Sequence, residues 1–325
     1  MTNSNDELMM ETMYWWGIPT LFRCEHNTDL TKCDIALAGV PHSTGNGTTE
    51  RDQHLGPRAV RHVSAGLRRV HLDFNINPWK KKKIFDLGDV ALPYANNNER
   101  CIEDITNFYQ KIALENKPVV SIGGDHSITG GILQGLGSRN LKMTKGKKIS
   151  FLHIDAHTDT FSQLDHFMGA KKSAAHWGAY LVDQGIINPN NSMQIGMRGN
   201  PRTLDWLQPS YDLGYNVVTM NEFKKRGIKD VIAETLEKIG DNPVYITFDL
   251  DSLDASVAPA VSNIEPGFNG FTIDEAKTLI QSVKNKNVIG GDVVCLMPTK
   301  DNKNNITSMV AASIMFEIIS VIAYK

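Results

Sequence analysis

A chain of 325 residues, 41% hydrophobic and 22% charged, can bury a sizeable core, and its net charge of −2 lacks the basic excess of a nucleic-acid binder. The one membrane-like stretch, Ser308 to Tyr324, is short and carries Glu317, so a buried closing helix is expected and no membrane span. Four cysteines without a CxxC pair, behind a polar N-terminus without signal character (MTNSNDELMM), fit free thiols in a reducing cytoplasm.

Residues 1–12 are expected to be flexible and residues 13–325 to form one domain, in which 13–33 is a packing arm opening with MYWWGIPTLFR. Asp34 to Val40 (DIALAGV) is the first predicted strand. A long Gly- and Thr-rich loop, Pro41 to Gly56, follows, and long loops inside compact domains are often functional. Pro57 starts a helix, PRAVRHVSAGLRRV, at the favoured first position. Lys80 to Lys83 is the one strong basic run and reads as a solvated loop entering a second strand, Lys83 to Leu87. An Asn-rich cap and a helix to about Glu115 lead to strand Val119 to Gly124 and the short helix SITGGILQGL.

The fourth strand opens FLHIDAHTDT, Phe151 to Thr160. A helix over about Ser173 to Gln184, strands Met193 to Arg198 and Asn216 to Met220, a helix Glu222 to Ile239 and strand Val244 to Leu250 come next. Thr272 to Glu275 (TIDE) is a capping box for a helix reaching Val283, and Val288 to Leu296 is the eighth strand. Apolar strands alternating with helices predict a single-domain, doubly wound α/β fold: a mainly parallel, eight-stranded sheet with helices on both faces.

Three of these strands end in ligand-type residues. Side chains at i, i+2 and i+4 of an extended backbone share a face, so Asp155, His157 and Asp159 project into one small volume. The strand before IGGDHS ends in Asp125 and His126, and VYITFDLDSLD carries Asp249 and Asp251 at the same spacing, with Asp254 beyond. Open parallel sheets place their sites beyond the carboxyl ends of the strands. Carboxylates gathered there need a cation, because they repel and lose solvation. Two histidines and four aspartates exceed what one ion takes in a catalytic site, which points to two divalent ions; imidazole with hard oxygen suits Mn²⁺, Ni²⁺ or Zn²⁺. Such a pair acidifies a bridging water, and the chemistry implied is hydrolysis at a planar carbon or at phosphorus.

Together, GGDHS, DAHTD and DLDSLDASVAP resemble the ureohydrolase family of arginases, agmatinases and their relatives. GVPHSTG with LGPRAVR, DLGDVAL, MQIGMR, IEPG and the terminal apolar helix extend the resemblance from about Tyr14 to the C-terminus. It implies that His126, Asp155, Asp159 and Asp249 hold one ion and His157, Asp155, Asp249 and Asp251 the other, with Asp155 and Asp249 bridging. It further implies that Asp159 orients the attacking hydroxide and that His176, in SAAHWGAY, carries protons or meets substrate. The fold it implies is arginase/deacetylase-like, although the deacetylases keep a sparser ligand set around one metal. GGDVVCLMP departs from the family's D-x-x-E-x-x-P: Cys295 replaces the glutamate that accepts the substrate guanidinium, and a thiol cannot supply a charge-assisted bond. Glu265, in IEPG, is the compensating carboxylate.

YWWGIPTLFR and HSTGNGTTERDQHLGPRAVR look most like the nickel-dependent guanidine hydrolase branch. That likeness implies a small, closed site shaped by Trp177 and by Asn46, Thr48 and Thr49. It favours Ni²⁺, with Mn²⁺ as alternative, a trimer or hexamer, and an accessory protein for metal delivery. The expected reaction is guanidine to urea and ammonia. The alternatives are an agmatinase or guanidinobutyrase acting on a tailed guanidino substrate, and a non-catalytic metal-binding homologue.

Overall fold

Buried apolar runs set the architecture seen in a computed structural model, which describes residues 5–47, 50–137, 141–162, 169–265 and 269–325. The chain begins with a short helix, α1 (Asn5–Thr12), where the sequence suggested a flexible segment, and a two-residue strand, β1 (Glu25–His26). Strand β2 (Ile35–Val40), helices α2 (Gly56–Ser64) and α3 (Pro78–Lys81), strand β3 (Ile84–Asp89) and helix α4 (Asn98–Leu114) follow. Then come β4 (Val119–Gly123), α5 (Ser127–Leu136), β5 (Ser150–Ile154), α6 (Trp177–Asp183), β6 (Met193–Met197) and α7 (Gln208–Leu213). The last part holds β7 (Asn216–Thr219), α8 (Met220–Arg226), α9 (Ile228–Ile239), β8 (Pro243–Asp249), α10 (Ile273–Ser282), β9 (Asn287–Val294) and α11 (Ile306–Tyr324).

The strands form one sheet in the order β1-β3-β2-β4-β9-β8-β5-β6-β7, and every pair is parallel. There are nine strands where eight were expected. The extra one, β1, is two exposed residues added to the outer edge of β3 through Glu25↔Phe85 and His26↔Asp86, too short to leave a period in the sequence.

The central strands β2, β4, β5 and β8 are buried at every position. Their side chains alternate between two cores. Ile35 and Leu37 of β2 enter one, Ala36, Ala38 and Val40 the other, which is the signature of a sheet covered on both faces. Each fully buried Leu, Ile or Val contributes roughly 1.5–3 kcal/mol, so these strands form the rigid frame behind the site. Helix α11 lies against β9, α2 and α10. It is long and apolar enough to cross a bilayer, yet 67% of its most apolar stretch is buried here. Its one central charge, Glu317, is met by His71 Nε2 at 2.8 Å and by the Gln281 amide at 2.9 Å.

Several boundaries differ from the sequence reading for local reasons. The helix expected over 222–239 is split at Gly227, whose φ of +82° breaks the α geometry. The basic run is not a loop: Asn77 caps a single helical turn with Pro78 at its first position. The helix from Gly56 ends at Ser64. The capping box at Thr272 forms as expected, Thr272 Oγ1 accepting from Glu275 N at 3.2 Å and Glu275 Oε2 from Thr272 N at 2.9 Å. Thr272→Ala is expected to cost about 1 kcal/mol. The check is urea unfolding, in which the midpoint should fall at constant slope; an unmoved midpoint would contradict the cap's contribution.

Candidate metal centre and cavity

Between β4 and β5 in sequence the chain crosses over β9 and β8 in space, and the ends of β4, β8 and β5 open on one crevice. The turn after β4 passes under the end of β2: a Cβ on Gly124 would lie 2.3 Å from His42 O and 2.8 Å from Val40 O. Only glycine allows this approach, and it delivers His126 to the start of α5. Asp125 is spent on backbone, its carboxylate accepting from Gly45 N and Ser127 N.

Around His126 Nδ1 three carboxylates converge: Asp155 Oδ2 at 2.9 Å, Asp159 Oδ2 at 3.0 Å and Asp249 Oδ2 at 3.2 Å. Beside them His157 Nδ1 lies 3.1 Å from Asp251 Oδ2 and 3.5 Å from Asp155 Oδ1. The two oxygens of Asp155 thus face the two sets, as a bridging ligand must. All six residues expected at the centre are brought together. The four aspartates and His126 are buried, and the His157 ring is partly exposed.

The second partners of these groups fix which atoms face inward. His126 Nε2 lies 2.8 Å from Thr247 Oγ1, which donates to Asp292 Oδ1 at 2.7 Å; Thr247 therefore accepts from Nε2–H, and the Nδ1 lone pair faces the carboxylates. His157 Nε2 meets Glu265 Oε1 at 2.9 Å, with the same consequence for its Nδ1. Glu265, expected to receive a guanidinium, is thus first the partner of a ligand histidine, though it also lines the cavity.

One residue of this set went unread in the sequence. His153 Nε2 donates to Asp155 Oδ2 at 2.7 Å, while Gln194 donates to His153 Nδ1 at 3.2 Å. The signal was present: His153 precedes Asp155 by two residues in FLHIDAHTDT and so shares its face. Because it bonds the same Asp155 oxygen that faces His126, it supports that ligand rather than adding one. His153→Phe is expected to weaken metal binding about 10–100-fold, measured by competition with a fluorescent chelator. Unchanged affinity would sink that role.

The residues fit a pair of cations on chemical grounds. His126 Nδ1 and Asp251 Oδ2 are buried and form no hydrogen bond among the described residues. Burial and the charge of Asp249 push the Asp251 carboxyl well above the usual carboxylate range. Burial acts in the same direction on Asp155, but His153, His126 and His157 outweigh it and hold that carboxyl well below. Burial disfavours a charged His126, yet Asp155, Asp159 and Asp249 raise it well above the normal imidazole range. Protons are drawn onto imidazoles and carboxyls wherever positive charge is missing, as expected of a site built around cations.

Two residues here have left-handed backbone, Asp159 at φ +52° and Cys295 at φ +68°. Each such position costs of order 1–3 kcal/mol and persists only where surroundings over-determine it. Asp159 is held by Gly178 N to its carbonyl at 2.9 Å and by Trp177 Nε1 to its Oδ2 at 3.0 Å. Trp177 is fully buried against His126, His153 and Phe151, so it braces a ligand from behind and does not wall the cavity. His176, at the start of α6, is also buried, its Nδ1 2.6 Å from Ser173 Oγ; its neighbours Ala174 and Ala175 line the cavity.

The cavity above the two clusters measures about 620 Å³ and is open to solvent. Asn46, Glu265 and Cys295 line it as expected, whereas Thr48 and Thr49 lie outside the described residues. A small, closed chamber was expected; the described residues line a larger one. Walls contributed by Phe161, Asn200 to Thr203, Trp206, Asn263 and Ile264 hold the mouth wide. Cys295 is buried in the wall, and burial together with Asp249 and Asp251 pushes its thiol well above the normal range, so it stays neutral.

Comparisons with known proteins converge. The model of the arginase family matches residues 33–320. The chain is 30% identical over 309 residues to a guanidinopropionase of Pseudomonas aeruginosa, across 94% of this chain and 92% of that protein. It is 32% identical over 300 residues to an agmatinase of Escherichia coli, across 90% and 88% respectively. The proclavaminate amidino hydrolase of Streptomyces clavuligerus superposes with a TM-score of 0.86 at 27% identity, across 96% of this chain and 99% of that one.

Proposed function

The chain belongs to the arginase family of C–N hydrolases acting on amidine and guanidino groups, and on that premise we propose that it cleaves a tailed guanidino compound to urea and the corresponding amine. The observation that carries the tailed substrate is the cavity of about 620 Å³, many times what free guanidine would fill. The names of two relatives, guanidinopropionase and agmatinase, also denote substrates with tails.

The family uses a binuclear divalent centre, and the donor set fits one. His126, Asp155, Asp159 and Asp249 would hold one ion and His157, Asp155, Asp249 and Asp251 the other. We favour Ni²⁺ over Mn²⁺, although the imidazole and carboxylate donors suit both. When bound, two such ions acidify solvent between them and offset the four carboxylates. The chain's own groups then act in order. Glu265, among the described lining residues the one carboxylate outside the ligand set, receives the guanidinium beside the neutral Cys295 thiol. Asp159, aligned by Trp177, accepts a hydrogen bond from the attacking water and takes its proton. Attack at the guanidinium carbon gives a tetrahedral species; Asp159 returns the proton to the leaving nitrogen, the C–N bond breaks, and the proton left on the added oxygen passes to the amine, so that urea and R–NH₃⁺ part. His176, buried and fixed by Ser173 Oγ at 2.6 Å, positions the start of α6, and its neighbours Ala174 and Ala175 wall the cavity. Arginase-family enzymes are generally oligomeric, and we assign a trimer or hexamer in the cytoplasm, loaded with metal by an accessory protein.

The test is urea release by protein reconstituted with Ni²⁺ or Mn²⁺ and offered 3-guanidinopropionate, 4-guanidinobutyrate, agmatine or guanidine. Urea from at least one tailed compound is expected. Urea from guanidine alone overturns the tailed reading, and urea from none returns the chain to a non-catalytic metal-binding role.

A further inference from the structure

We infer that Arg202 selects a substrate whose tail ends in a carboxylate, so that the substrate class is guanidino acids rather than guanidino amines; this rests on the tailed reading above. The cavity is electrically polar from end to end. Its floor is acidic, with Asp159, Asp249 and Glu265 among the lining groups, and these suit the guanidinium. At its mouth the charge reverses. Among the described lining residues Arg202 is the one Lys or Arg, and the three at the floor are the one set of carboxylates.

Local structure sets Arg202 there. Arg198, four residues earlier, is consumed structurally: it is buried, and its guanidinium donates to Asp251 O at 2.6 Å, Leu253 O at 3.0 Å and Glu265 O at 3.4 Å. It thereby ties the end of β6 to the loops carrying Asp251 and Glu265. The chain then turns at Gly199, φ +102°, where a Cβ would strike the Glu265 carboxylate, and runs across the mouth. Arg202 is exposed there and has no ion-pair partner among the described residues. The apolar groups Phe161, Trp206 and Ile264 complete the wall, suited to the methylenes of a tail.

A guanidino acid entering guanidinium-first places each of its charges against the opposite charge of the cavity. A guanidino amine sets its ammonium against Arg202 and finds no carboxylate among the described residues at the mouth. The planar fork of arginine can grip a carboxylate through two parallel hydrogen bonds, which lysine cannot reproduce.

The experiment compares kcat/KM for 4-guanidinobutyrate, agmatine and the neutral butylguanidine, with the wild type, Arg202→Gln, Arg202→Lys and Arg202→Glu. The wild type should prefer the acid. In Arg202→Gln the ratio of kcat/KM for the acid to that for butylguanidine should fall about tenfold, chiefly through KM, as for a partly exposed pair. Arg202→Lys should recover part of the ratio, and Arg202→Glu should reverse the order of acid and amine. A wild type preferring agmatine overturns the inference and leaves the tailed reading standing. So does an Arg202→Gln variant that slows all three compounds equally. Urea from no tailed compound removes both readings at once.

Discussion

Asp155→Ala is expected to cut urea release by at least about a thousandfold, several kcal/mol of barrier. The Asp155 carboxylate faces both ion sets. Its Oδ2 faces His126 Nδ1 at 2.9 Å and takes a hydrogen bond from His153 Nε2 at 2.7 Å. Its Oδ1 faces His157 Nδ1 at 3.5 Å and takes one from His157 N at 2.7 Å. Truncation removes a donor from both ion sets and leaves two histidines without their shared carboxylate. The check is steady-state urea release together with metal content after dialysis, with circular dichroism to establish that the variant folds. A variant retaining more than about a tenth of the activity with full metal content would refute the bridging role.

Arg61→Ala should lower stability by about 3–5 kcal/mol near neutral pH, the usual cost of stranding one member of a buried ion pair. Asp86 is buried and accepts from Arg61 Nε at 2.9 Å, Arg61 Nη2 at 3.0 Å, Leu21 N at 2.8 Å and Gly88 N at 2.9 Å. The pair fastens the N-terminal arm and α2 to β3. Burial pushes the Asp86 carboxyl up, but Arg61 and the two backbone N–H groups outweigh it and hold the carboxyl below its usual range. A depressed carboxyl stabilises the fold fully above the unfolded pKa, about 3.9, and that stability is lost as pH falls through the folded value. The deficit of the variant should therefore narrow below about pH 4, because a protonated Asp86 no longer needs the guanidinium. Denaturant unfolding at several pH values checks both the size and the slope; a deficit independent of pH would count against the pair.

The metal ligands were legible in the sequence because the cause of their convergence is local. The two-residue spacing singled out Asp155, His157, Asp159, Asp249 and Asp251 as if on strand faces. However, β5 ends at Ile154, Asp159 is left-handed and Asp251 lies in a helical turn. It is the loops just past the strand ends, set side by side by parallel topology, that bring them together. His153 carried the same spacing, but standing before the aspartate it reads as strand interior. Trp177 was legible as bulky but not as buried, since its depth depends on packing against Phe151 and His153 from another element. The cavity left no trace in the pattern. Its mouth gathers Asn46, Phe161, Arg202 with Trp206, and Asn263, which come from four separate stretches of the chain. Strand positions and the parallel class followed from apolar runs, whereas sheet order depends on long-range pairing, and β1 and the break at Gly227 on an edge pairing and one backbone angle.

The most direct measurement is anomalous diffraction from crystals of metal-loaded protein, collected at the absorption edge of the metal supplied. Two peaks are predicted in each chain, one against His126 Nδ1 and the other against His157 Nδ1, with the Asp155 carboxylate between them. A single peak, or peaks away from these two nitrogens, would contradict a binuclear centre built on the ends of β4, β5 and β8.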